Sequence, residues 1–247
     1  LGSTSEILPV GEQLQHWQPA ATDDTLEQAR NRPLSEWEAI HRGSVNFVYT
    51  KAAHWFRLDF INDSNTGRWY LEIPSPHLDE IEVYLYNQQD QLISQYRLGD
   101  TLPFVDRPVL HPNFLVPFQL QANERYALYF RIKTTSRFFS IPALIPDAAI
   151  LPHLLHYSLL YGGFFSVMLI LSAYSLVIFL VTRVSAHLAY VVFQISFVLY
   201  HAAQSGYGFQ YLWPNQIYFA RFTQHSTCKA YGRRKNLAMD CRRYWKF

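Results

Sequence analysis

The stretch "LLHYSLLYGGFFSVMLILSAYSLVIFLVT", residues 154–182, contains no Asp, Glu, Lys or Arg. A helix needs about 20 apolar residues to cross about 30 Å of hydrocarbon. The run therefore reads as a transmembrane helix; a buried core helix of this length usually carries a polar stripe. Gly162, Gly163, Ser166, Ser172, Ala173 and Ser175 are small residues against which another helix can pack closely. A second run, "LAYVVFQISFVLYHAAQSGYGFQYLW" (188–213), holds Gln194, His201 and Gln204. Polar groups inside a membrane helix face other helices or a cavity, so this reads as a second span. The connection "TRVSAH" is short, and Arg183 assigns that turn to the cytoplasm, with residues 1–150 on the opposite side.

Upstream of the first span the period changes from helical to two. In "RYALYFRIK" (125–133), Tyr126, Leu128, Phe130 and Ile132 share one side, and Ala127, Tyr129, Arg131 and Lys133 share the other. "WFRLDFIND" (55–63) and "IEVYLY" (81–86) alternate in the same way. Weaker strands are read at 45–50, 68–74, 91–97, 113–120 and 137–144, separated by "NDSNTG", "NQQD" and "QANE". About eight short strands with turns between them predict an antiparallel sandwich or jelly roll over residues 40–150. Pro117 and Pro142 fall inside strands, which predicts edges or bulges there. Residues 1–39 read as a separate, partly irregular segment; "DDTLEQARNRP" gives it a short helix capped by Asp23 or Asp24 and ended by Pro33.

Charge is unevenly spread. Residues 1–220 carry 13 Lys/Arg against 18 Asp/Glu, whereas 221–247 carry 8 against the single Asp240, together with both cysteines, Cys228 and Cys241. The body thus has no cysteine framework. A basic tail on the outer side opposes the positive-inside tendency. It reads as a non-native, frameshifted end, with a lipid-touching basic tail or an inverted topology as alternatives. The opening "LGSTSEILPV" lacks a basic n-region and an apolar h-region, so a leader has been removed or the sequence starts late.

Several residues invite a binding role. "GDTLPFVDRP" (99–108) combines Asp100, Asp106 and Arg107 with one glycine and two prolines. It reads first as a stiff corner held by an internal ion pair, and alternatively as the rim of a ligand site. Trp55, Trp69, Tyr84, Tyr86 and Tyr129 are strand aromatics. The three tyrosines lie opposite the apolar stripe, where they can stack on a sugar ring, lie beneath the amino-terminal segment or face the membrane surface. Arg57, beside Trp55, is a cation–π partner or an anchor for a carboxylate. Asp79 and Glu80 are weak candidates for a hard cation, since two carboxylates are too few alone, so no metal site is expected. His153 and His156 lack further ligands nearby. No GxSxG, HExxH, GxxxxGK or GxGxxG occurs, and neither an enzyme nor a cofactor is expected.

Taken in order, "WFRLDFIND", "WYLEIPSPHLDEIEVYLYN", "GDTLPFVDRP", "NFLVPFQL" and "YALYFRI" lead straight into the membrane segment. This succession resembles the type 2 extracellular region of bacterial seven-transmembrane receptors with diverse intracellular signalling modules (7TMR-DISM). The likeness spans roughly residues 40–150, and residues 155–213 resemble the start of that family's membrane bundle. It departs in Val48, where relatives tend to have glycine, and in showing two spans with no output domain after them. The resemblance implies a jelly-roll sandwich similar to carbohydrate-binding modules, held in the periplasm by the bacterial inner membrane. It implies a ligand sensor whose output, in relatives, is often a diguanylate cyclase or histidine kinase. The expected partners are a small-molecule ligand such as a saccharide, the lipid bilayer, other transmembrane helices and a second copy in a homodimer; nucleic acid is not among them. A membrane-tethered adhesion module without signalling is the alternative.

Overall fold

The computed structural model describes residues 1, 6–19, 25–40, 45–47, 52–65, 67–134 and 138–214. The basic tail, the cap candidates Asp23 and Asp24, and Val48 lie outside them. In chain order the elements are β1 (Leu8–Pro9), β2 (Gln15–Trp17), α1 (Leu26–Asn31), β3 (Glu38–Ala39), β4 (Val45–Phe47), β5 (His54–Ile61) and β6 (Arg68–Ile73). There follow β7 (Glu80–Asn87), β8 (Leu92–Leu98), β9 (Phe114–Gln119), β10 (Arg125–Lys133), β11 (Phe138–Ser140), β12 (Ala143–Pro146), α2 (Asp147–Thr182) and α3 (Ser185–Gln204).

The strands build an antiparallel sandwich. One sheet runs β1-β12-β6-β9, the other β3-β2-β5-β10-β7-β8, and β11 pairs with β4 beside them. The period of two explains the core. Phe56, Leu58, Val83, Leu85, Leu128 and Phe130 project inward from the six-stranded sheet. Trp69, Leu71, Ile73, Val116, Phe118 and Leu144 meet them from the other. Each such side chain taken from water contributes about 1.5–3 kcal/mol. Pro117 sits in β9, an edge strand, where a missing amide breaks no ladder. Pro142 divides the expected strand 137–144 into β11 and β12, which join different sheets.

The amino-terminal segment is part of the sandwich rather than separate from it. β2 and β3 extend the six-stranded sheet, and β1 extends the four-stranded one. These strands of two and three residues are too short to display an alternation. The cap of α1 is Thr25, whose hydroxyl accepts from the Gln28 amide at 3.4 Å.

Two helices follow that are long and apolar enough to cross a membrane. The first begins at Asp147, directly after β12, with no linker between strand and helix. At 1.5 Å per residue its 36 residues span about 54 Å, leaving turns to spare above a bilayer. Arg183, at φ 56°, closes the helix and starts the return. Ser172 and Ser175 on α2 and Gln194 on α3 are buried where the antiparallel pair packs. Residues 188–213 do not form one span: α3 stops at Gln204. Gly206 adopts φ 80° and a π-turn covers Gly208–Leu212, folding the chain back against the sandwich.

Candidate ligand-binding site

The outer face of the six-stranded sheet gathers most of the sequence candidates, in a covered state. Register places Arg57 opposite Tyr129 and Tyr129 opposite Tyr84. Trp55, Tyr84, Tyr86 and Tyr129 are buried in one cluster with Trp17, Ala29 and Trp37. Thus α1 and the two amino-terminal tryptophans roof the tyrosine row. Trp55 stacks on Tyr84 at 6.3 Å, and Trp37 meets Tyr129 edge-on at 6.4 Å. Arg30 lies over Tyr86 at 4.1 Å and pairs with Asp90 at 2.5 Å, tying α1 to the β7–β8 turn. Burial, aided by Glu82, pushes the Tyr84 hydroxyl up to about 12. Of the arrangements the sequence left open for the tyrosines, the one found is the row lying beneath the amino-terminal segment. Trp69 lies on the other sheet, wholly inside the inter-sheet core, and meets no ligand there.

Beside the roof the same face stays open. A groove of about 460 Å³ is lined by Arg57, Asp59, Asn87, Gln88, Arg125 and Ala127, among others. Arg57 forks onto Asp59, with Nη2 to Oδ2 at 2.8 Å and Nε to Oδ2 at 3.0 Å, and its guanidinium is 5.5 Å from the Tyr129 ring centre. It is thus both carboxylate anchor and cation–π partner, with Tyr129 rather than Trp55 as the ring. The Arg125 side chain has no hydrogen-bond or ion-pair partner among the described residues. Two guanidinium groups against one carboxylate leave the groove positive. Their planar donor forks suit a carboxylate or adjacent hydroxyls, and Ala127 is a small floor on which a ligand can rest. Of the sequence candidates, only Arg57 lines this groove. Sequence reasoning misses Arg125, Asn87 and Gln88; the outward register that Arg125 shares with Ala127 and Tyr129 was the available signal.

The loop "GDTLPFVDRP" is a corner with a different client. Gly99 has φ 152°, and a Cβ there would meet the Asp79 carbonyl oxygen at 2.1 Å. The Asp100 amide donates to Leu78 O at 2.8 Å, and Thr101 Oγ1 donates to Asp79 O at 2.8 Å. Arg107 is only 7% exposed, and its Nη1 donates to His111 O at 2.8 Å and Pro112 O at 2.6 Å. Its guanidinium lies against Phe114 at 4.2 Å, Phe104 at 4.6 Å and Phe209 at 5.8 Å. Burial lowers its pKa to about 10, opposed by the nearby charge of Asp100. Asp100 is buried and Asp106 is exposed. Asp79 and Glu80 are half-buried; Glu80 lies 3.8 Å from Arg131, and no metal-binding cluster forms among the described residues.

What this loop holds is the end of α3. Phe104 meets Phe209 edge-on at 5.5 Å, and the Phe104 amide donates to Pro214 O at 3.4 Å. Gln210 Nε2 donates to Leu110 O at 3.2 Å, and His77 Nε2 to Gln204 O at 2.8 Å. On the α2 side, His153 Nε2 lies 2.9 Å from the buried Glu72 carboxylate, which also accepts from Asn113 Nδ2 at 2.7 Å. The sandwich therefore grips both helices.

Residues 11–143 match the family described as 7TMR-DISM extracellular 2, and residues 157–228 match the one described as 7TM diverse intracellular signalling. No curated protein matches the chain. Among solved structures, a Faecalibacterium prausnitzii β-glucuronidase is 14% identical, with a TM-score of 0.32, over 49% of this chain and 20% of its own. A Ruminococcus gnavus β-glucuronidase in complex with D-glucuronic acid is 10% identical, with a TM-score of 0.36, over 59% and 30%. A carbohydrate-binding module of the β-sandwich superfamily is 10% identical, with a TM-score of 0.29, over 59% and 61%. The chain thus spans about a fifth of the first of these enzymes.

Proposed function

The chain belongs to the 7TMR-DISM extracellular 2 family, and from that premise we propose that it is the ligand-sensing part of a bacterial membrane receptor. The sandwich stands in the periplasm on the inner membrane, and α2 and α3 are the first spans of a larger bundle that drives a cytoplasmic output. The ligand is a small polar molecule, a saccharide or similar metabolite, taken by the groove at Arg57 and Arg125. The faces of α2 at Gly162 and Gly163, where nothing approaches within 4 Å of an added Cβ, receive further transmembrane helices.

One observation carries this reading over a passive tether: the sandwich is joined to both spans at once. β12 enters α2 without a loop, while the corner at Arg107 holds the chain leaving α3. A change in the pose of the sandwich therefore displaces one helix end relative to the other. Coupling still requires that ligand favour one arrangement. The test is titration of the full chain in nanodiscs with neutral and acidic monosaccharides, by calorimetry. Arg57→Ala and Arg125→Ala should each weaken binding about tenfold or more, the value of one charge-assisted contact. Unchanged affinity in both variants refutes the groove as the site.

A further inference from the structure

A second cavity, of about 190 Å³, lies where the sandwich meets both helices. From the sandwich it is lined by Pro74, Pro76 and the run His111–Asn113. Tyr157 and Tyr161 face it from α2, and Gln204, Ser205 and Tyr207 from the end of α3. At about 30 Å³ per water this is room for roughly six waters or one small ring. It is smaller than the ~300–1,000 Å³ of drug-sized pockets.

The chemistry of the walls is specific. No Asp, Glu, Lys or Arg lines the cavity. The nearest charges are turned to other tasks: Glu72 holds His153 and Asn113, and Arg107 holds the carbonyls of His111 and Pro112. His111 is 5% exposed and stays neutral, since burial first, then His153, lower its pKa to about 4. Its Nδ1 accepts from the Asn113 amide at 3.1 Å, so in the neutral ring the proton resides on Nε2. That buried Nε2–H has no acceptor. The Tyr207 hydroxyl has Ser158 beside it. A buried donor left without an acceptor in the wall of a small cavity is costly. An ion would be desolvated there without a counter-charge, and a purely apolar guest would leave the donor unmet. Tyrosine and proline rings supply flat apolar faces.

We infer that this junction cavity is a second binding site, for a small uncharged molecule bearing hydroxyl groups on a compact ring, the size of a monosaccharide or cyclitol. Such a guest touches the sandwich, α2 and the end of α3 together. Its affinity therefore depends directly on how the three are arranged, which the outer groove achieves only through the whole sandwich.

The test uses the full chain in nanodiscs, with glucose and myo-inositol as neutral probes and glucuronate and glucosamine as charged ones. Calorimetry should give saturable binding of a neutral probe and no binding of the charged pair at this site. Tyr207→Phe, which removes one oxygen, and His111→Met should each weaken it about three- to tenfold. The proposal is overturned if neither neutral probe binds saturably, or if Tyr207→Phe and His111→Met both bind as wild type. It is also overturned if only the arginine variants lose affinity, a result that would leave the outer groove standing. Loss of neutral-probe affinity in Tyr207→Phe and His111→Met upholds this site; the arginine variants judge the outer groove separately, on glucuronate.

Discussion

Replacing His54 with glutamine should flatten the acid sensitivity of the fold by a calculable amount. His54 opens β5 and faces His16 of β2, with Nδ1 and Nε2 3.0 Å apart and the rings stacked at 5.2 Å. Burial holds both well below the usual value of 6.5, at about 4; for His16 the neighbouring ring adds to the effect. Above pH 6.5 both imidazoles are neutral in folded and unfolded chains alike, and neither contributes to pH dependence. As pH falls below 6.5 the unfolded chain takes up protons that the folded one refuses, so stability declines until about pH 4. At pH 5 the loss from one such histidine is about 2 kcal/mol, from 1.36 kcal/mol per unit of difference. His54→Gln keeps a donor for its neighbour and deletes one titration. Denaturant unfolding of the full chain in detergent, at pH 7 and pH 5, measures this. Wild type should lose about 2 kcal/mol more than the variant between the two pH values. Equal losses would refute the assignment of a buried neutral histidine pair.

Two further substitutions test the corner. Gly99→Ala drives a methyl into the Asp79 carbonyl from a positive φ and should cost about 3 kcal/mol or more, read as a lower melting temperature. Arg107→Met keeps the apolar stem but gives up the bonds to His111 O and Pro112 O, at a cost of about 3 kcal/mol. Faster proteolysis in residues 205–214, with the sandwich still folded, is the expected signature. Removing Arg57 should by contrast alter stability by less than about 1 kcal/mol, because its pair with Asp59 is partly exposed. A large drop in melting temperature would assign Arg57 to the scaffold.

Much of this molecule is legible in its sequence because the signals are periodic and local. The alternation in 125–133 identifies both faces of β10 correctly, and Pro117 marks an edge strand from its missing amide alone. The charge-free run from Leu154 to Thr182 is helical throughout. What escaped depends on contacts between distant residues. That a roof over Tyr84, Tyr86 and Tyr129, one of the alternatives the strand pattern left open, is the one realised depends on Trp17, Ala29 and Trp37 docking from the amino-terminal segment. No period within the strands reveals a lid made elsewhere. The break after Gln204 was signalled by Gly206 and Gly208, but apolar residues continue to Trp213 and carry the helical reading past it. "GDTLPFVDRP" was recognisable as a stiff corner; that its buried arginine packs against Phe209, about a hundred residues away, was not.

The central claim is the partition: a sandwich in water outside, two apolar helices in lipid, and their turn at Arg183 on the far side. Labelling single cysteines in whole cells tests it most directly. In a Cys228→Ser, Cys241→Ser background, cysteine is introduced at Gln88 on the groove or at Arg183 in the turn, and cells with a permeabilised outer membrane are treated with an impermeant maleimide. The account predicts labelling at position 88 in intact inner membranes and labelling at position 183 only after those membranes are opened. Labelling of both positions without opening, or of position 183 alone, would contradict it.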